Sequence, residues 1–227
     1  MGLLGNGHDC IRGPAKAREI ADSEKLSQAI ALLDGGDTAG GERALRDVCS
    51  RAPQQYEYCS VDGGKCYLRA WDMEEFVFFI ARQPEGERID TECLVAVYPP
   101  ACFRLGFLLV GKGEYPEALR WLLLGAQMEP QRPVFLMEAG NAYGHCGDHQ
   151  GALNCFENLL ALPDLEPVAQ AAALRGMGVN LIDLGRLSDA EDCLRAAVAA
   201  EPGNQVAVAR AKEELTSIAM LRARGAG

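Results

Sequence analysis

Little in this sequence suits nucleic acid, a membrane or a metal. Lys and Arg total 22 against 32 Asp and Glu, a net charge of −10. Nucleic acid and anionic lipid are both recognised by a basic footprint, so neither is an expected partner. No run approaches the roughly 18 apolar residues of a membrane-spanning helix. Histidines number three, and the nine cysteines contain no CxxC pair. There is no GxSxG, no Walker loop, no GxGxxG after a strand and no HExxH. No enzymatic activity, catalytic residue, metal or cofactor is therefore expected.

The opening MGLLGNGHDC has neither the basic region nor the apolar core of a secretory signal. Asn6 stands where a myristoylation start wants Ser or Thr. The expected compartment is the reducing cytoplasm, with the thiols acting as small hydrophobes.

What is present is a repeat. Gly106, Gly113 and Ala118 recur as Gly140, Gly147 and Ala152, and again as Gly178, Gly185 and Ala190. The first interval is 34 residues. The second is slightly longer, and the extra residues fall in the loop between Pro163 and Pro167, where insertion is cheap. Helices are expected at 101–111, 115–128, 134–145, 149–161, 168–184 and 188–200. A final amphipathic helix over 205–222 points Ala207, Val208, Ala211, Leu215, Ile218 and Leu221 inward. Its polar back would cap the stack.

The chain divides into four parts. Residues 1–13 are Gly-rich, unpatterned and expected to be mobile. Residues 14–53 form two helices around Gly35-Gly36-Asp37. Aligning Gly36 with Gly113 places Ala29 on Gly106, Gly41 on Ala118, Leu45 on Leu122 and Pro53 on Pro130. This is a degenerate copy of the repeat. Residues 54–98 are an insert of another kind. Asp62-Gly63 lies between aromatic and β-branched runs and predicts a two-stranded hairpin. A helix over Met73–Ala81 follows, capped by Asp72. Phe76, Phe79 and Ile80 share one of its faces; Val77 and Phe78 lie on the other. A helix so apolar is expected to be covered on more than one side. Residues 99–227 carry the array and its cap.

The three in-phase copies resemble the tetratricopeptide repeat (TPR), a helix–turn–helix of 34 residues with small side chains where helices touch. Gly106, Gly140 and Gly178 would meet Ala118, Ala152 and Ala190, and Leu122, Phe156 and Leu194 would fill the seam. The resemblance implies a mainly α fold, an α-α superhelix (TPR solenoid) interrupted by a small inserted β-hairpin plus helix. It further implies a concave wall built from the first helix of each pair. Its lining would be Phe103, Phe107 and Val110, then Val134, Met137, Asn141 and His145, then Arg175, Val179, Ile182 and Asp183. Such walls hold a peptide or an extended segment of another protein. The lysines and asparagines of a carboxylate clamp are missing, since Phe103, Phe107, Glu138, Ala172 and Gly176 occupy those places.

The functional expectation is a protein–protein interaction scaffold that takes an extended or apolar protein segment in this groove. The alternative is a structural or oligomerisation module whose groove is filled by its own insert or by a second copy in a homodimer. Both readings remove Phe103, Phe107 and Met137 from water, and both stay open at this level. Three smaller features remain. His145-Cys146-Gly147-Asp148-His149 carries metal-ligand types, but Gly147 is the repeat's own turn. Cys59 and Cys66 would face each other directly across an Asp62-Gly63 turn. Glu74-Glu75 and Glu85–Glu92 read as a solvated acidic face, the alternative being a docking patch for a basic partner.

Overall fold

The computed structural model describes residues 14–225. The expectations for residues 1–13, Cys10 included, lie outside that range. Two units emerge. The first runs through Leu105 and also takes Gln127–Glu129; the second holds Gly106–Ala126 and everything from Pro130 onward.

The first unit begins with α1 (Pro14–Asp34) and α2 (Thr38–Cys49), antiparallel neighbours across Gly36. Leu26, Ala29, Leu45 and Val48 are buried. The Asp37 carboxylate accepts from the Gly40 N–H, which caps α2. After α2 come β1 (Cys59–Asp62), β2 (Lys65–Ala70), α3 (Met73–Ala81), β3 (Asp90–Val95) and α4 (Tyr98–Gly111), whose first turns belong here. The sheet order is β1-β2-β3, antiparallel then parallel. The insert is thus a three-stranded mixed sheet, one strand more than the expected hairpin. The step from β2 to β3 crosses over through α3, a long-range pairing that local pattern does not reveal.

The hairpin turn also differs. Asp62 pairs with Lys65, so the two loop residues are Gly63 and Gly64, at φ +57° and +81°. A tight hairpin wants positive φ at both central positions, which two glycines supply without strain. Moving the loop by one residue moves each cross-strand partner by two. Cys66 faces Val61, and Cys59 faces Leu68. The two cysteines are diagonal rather than opposite, although their Sγ atoms lie 3.0 Å apart.

Two buried ionic knots fasten this unit. Asp22, fully buried on α1, accepts from Arg51 at 2.9 Å and from the Tyr98 hydroxyl at 3.0 Å. Arg69 on β2 donates to Glu19 at 2.8 Å and to the Glu57 carbonyl at 2.8 Å. A buried charge needs such partners to offset its lost hydration.

The second unit continues α4 and adds α5 (Tyr115–Met128), α6 (Pro133–His145), α7 (His149–Leu160), α8 (Pro167–Asp183), α9 (Leu187–Ala200) and α10 (Gln205–Gly225). Proline opens α6 and α8 where its missing N–H costs nothing. The seam is as expected. A methyl group on Gly106 would strike Leu122, one on Gly140 would strike Phe156, and one on Gly178 would strike Leu194. Those three large side chains are fully buried. A further contact between units of the repeat was not anticipated: Gly125 lies against the ring of Phe135.

The turns repeat closely. Gly113, Gly147 and Gly185 have φ of +76°, +77° and +73°. In each, the glycine N–H bonds three residues back and the next N–H bonds five back, as in Glu114 to Leu109 and Arg186 to Leu181. Gly36, at φ +85°, makes the same pair of bonds through Gly36 to Leu33 and Asp37 to Leu32. This is the left-handed helix stop that satisfies orphan carbonyls. The α1–α2 turn therefore has the same geometry as the turns of the repeat. At the far end Ala211 and Ile218 of α10 join Leu181, Ala190 and Leu194 in one core cluster. Leu221, expected inward, is 42% exposed, and every residue from 219 to 224, after the buried Ile218, is likewise exposed.

Candidate partner-binding surface

The wall residues divide between the two units. Phe103 belongs to the first, and the rest belong to the second.

In the second unit, the first helices of the repeats leave apolar side chains in water. Phe107 on α4 is 57% exposed, Val134 on α6 is 37% exposed and Val179 on α8 is 41% exposed. Val110, Met137, Arg175 and Ile182 are half-buried; Asn141, His145 and Asp183 are exposed. Among the polar members, Asn141 bonds Glu138 one turn earlier. Burial raises the Glu138 carboxyl above its ordinary range, and the Asn141 bond works against that rise. The His145 ring stacks on Tyr115, with centroids 4.7 Å apart and planes 12° from parallel. One face of that imidazole is thus occupied within the array.

His149 turns elsewhere. Its Nδ1 lies 3.0 Å from Asn180 Oδ1 and 3.6 Å from Asp183. Asn180, only 6% exposed on α8, also donates to the Gly176 carbonyl at 2.8 Å. A methyl group on Gly144 would meet its amide oxygen. Asn180 is thus a polar tie between α7 and α8 that also packs against Gly144 of α6, and the sequence reading missed it. Its signal was an amide inside the otherwise apolar run GMGVNLI, facing a glycine on the neighbouring helix. The two histidines do not converge, and no group of three metal-ligating side chains occurs among the described residues.

In the first unit Phe103 is half-buried. The Trp71 ring packs on it with centroids 5.9 Å apart and a 48° tilt. Trp71 is held in turn. Its Nε1 donates to Glu129 at 3.0 Å, and its backbone N–H donates to Glu75 at 2.8 Å. The insert thus packs on Phe103.

No family model and no curated protein matches the sequence. Solved structures do match. MamA (AMB-1) is similar over 79% of this chain and 78% of its own, with TM-score 0.54 at 17% identity. The TPR domain of Sgt2 from Aspergillus fumigatus matches 57% of this chain and 82% of its own, with TM-score 0.50 at 18% identity. The Yersinia enterocolitica type III secretion translocator chaperone SycD matches 55% of this chain and 86% of its own, with TM-score 0.50 at 16% identity. The chain has the tetratricopeptide-repeat fold. At these identities the likeness concerns the TPR backbone alone. The TPR turns and seam described above account for it physically. Among the described residues, no helix is long and apolar enough to cross a membrane.

Proposed function

We propose that the second unit is a protein-interaction module that binds an extended or apolar segment of a partner protein along its first helices. The observation that carries this reading is the row of exposed apolar groups, Phe107, Val134 and Val179, with Asn141, His145 and Asp183 exposed on the same helices. A folded protein rarely leaves such a series in water without use. The apolar groups would supply binding energy, and the polar ones would orient the segment's backbone. Val110, Met137, Arg175 and Ile182 would complete the lining as half-buried supports. The same fold serves SycD, a translocator chaperone. The compartment we propose is the cytoplasm, and no catalytic role is assigned.

Peptides selected from a random display library on the full chain would test this. The Phe107→Glu, Val179→Glu double variant alters two exposed positions and should keep its helical circular dichroism. Selected peptides should lose at least tenfold in affinity for it. Peptides that bind the variant as well as the wild type would place recognition off these helices.

The alternative reading keeps one specific support, the Trp71–Phe103 contact. There the wall is occupied by the chain's own insert, and a structural or self-associating role follows. Light scattering that gives a dimer, dispersed by Phe107→Glu, would favour that reading over peptide capture.

A further inference from the structure

α3 is nine residues long, mostly apolar, and contains no buried residue. Its packed side is Glu75, Phe76, Phe79 and Ile80, all half-buried. Glu75 ties it down by accepting from the Trp71 N–H and from the Tyr58 hydroxyl at 3.0 Å. Met73, Val77 and Phe78 point the other way and are 63%, 59% and 62% exposed. Among the described residues the expected second cover is absent. Met73, Val77 and Ala81 are spaced four apart and form one ridge; Glu74, Phe78 and Arg82 form the ridge beside it. Arg82 lies over the Phe78 ring at 5.9 Å. Exposed aromatic and aliphatic side chains concentrated on one short helix mark a surface made for contact.

The charge around it identifies the occupant. Within 54–98 the exposed ionic groups are six carboxylates against two guanidiniums, those of Arg82 and Arg88. Asp72 and Glu74 stand at the N-terminal end of the ridges, with Glu85 and Glu87 following the helix. An anionic membrane is repelled by this rim. A second copy of the chain is disfavoured for the same reason, since each carries a net charge of −10. It is disfavoured by size as well. A nine-residue helix spans about 13.5 Å, and self-pairing of so short an element falls well below the roughly 800 Å² per partner of a stable dimer.

We propose that the exposed face of α3 is a second docking surface, distinct from the first-helix wall, whose occupant is a basic amphipathic helix of a partner protein. Apolar residues of that helix at i, i+3, i+4 and i+7 lie along the Met73–Val77–Ala81 ridge and against Phe78. Its flanking lysines or arginines reach Asp72 and Glu74. The proposal does not depend on the wall being a binding site.

The test uses the full chain and two fluorescent 18-residue probe peptides. Both carry a leucine stripe at helical spacing; one has lysines on its polar face and the other has glutamates. The lysine peptide should bind, and should weaken several-fold between 50 and 300 mM salt. The glutamate peptide should bind at least tenfold more weakly. Val77→Ser, Phe78→Ser changes only exposed groups, so the melting temperature should hold while lysine-peptide affinity falls at least tenfold. Glu74→Lys should lower it several-fold, and Phe107→Glu, Val179→Glu should not change it. No binding of the lysine peptide, equal binding of the two peptides, or unchanged binding to Val77→Ser, Phe78→Ser would each overturn the proposal. So would a wild-type dimer that Val77→Ser, Phe78→Ser converts to monomer, because the occupant would then be a second copy.

Discussion

Trp71 Nε1 donates to Glu129 Oε2 at 3.0 Å, joining the insert to a carboxylate almost sixty residues further along the chain. The same carboxylate accepts from the Tyr56 hydroxyl at 3.3 Å and is only 6% exposed. One buried acid therefore holds the residues flanking both ends of the β1–β2 hairpin, and the Trp71 it anchors packs on Phe103.

Replacing that acid should loosen the first unit. Glu129→Leu leaves two half-buried donors without their acceptor and should destabilise by about 1–3 kcal/mol. Glu129→Gln keeps one acceptor oxygen and should lose less. Urea unfolding followed by tryptophan fluorescence measures both. A Glu129→Leu variant as stable as the wild type would mean that the contact positions nothing.

The repeat seam offers a test by coupling. Gly140→Ala pushes a methyl group into the Phe156 ring and should cost about 1–3 kcal/mol. Phe156→Leu removes the obstructing ring, so the double variant should recover part of the loss, with a coupling of about 0.5–2 kcal/mol. Gly147→Ala is the control. It meets no atom but must hold φ near +77°, so it should cost about 1 kcal/mol and be additive with Phe156→Leu. Equal behaviour of the two glycines would remove the crowding argument.

Thiol chemistry should follow pH in a defined direction. Burial and the neighbouring Cys66 push the Cys59 thiol up to about 12, with the Arg69 charge pulling the other way. A raised value leaves little thiolate near neutrality. Carboxamidomethylation of Cys59 should therefore be slow at pH 7 and rise about tenfold per pH unit toward pH 10. With the two sulfurs 3.0 Å apart, diamide should join Cys59 to Cys66, taking up the two thiol hydrogens. Peptide mapping should find that cross-link in the wild type and lose it in Cys66→Ser. An alkylation rate that levels off near pH 9 would show that the Cys59 thiol is not raised as described.

How much of this was legible in the sequence depends on the range of each interaction. Gly113, Gly147 and Gly185 announce their turns locally, because only a residue tolerant of positive φ ends a helix that way. The seam follows from the same period, and Gly106, Gly140 and Gly178 needed no further information. Gly63 and Gly64 were nearly legible. The preference for two positive-φ residues chooses Gly-Gly over Asp-Gly, and that choice moves Cys59 off Cys66. β3 was not legible, since its parallel pairing with β2 is decided across α3 by the rest of the sheet. The wall positions could be enumerated from the repeat, but Trp71 on Phe103 could not. That contact depends on Glu129, which local pattern marks only as the end of a helix. The apolar excess of α3 was plain, yet composition gives the area to be covered and not what covers it.

The boundary between the two units falls inside helices, between Leu105 and Gly106 of α4 and again near the end of α5. This has a practical side for anyone dissecting the molecule. A fragment stopped at Leu105 retains Tyr56 and Trp71 but discards the carboxylate they share. A fragment begun at Gly106 carries Glu129 away from its donors. A cut between residues 105 and 106 therefore separates residues 127–129 from the rest of the first unit.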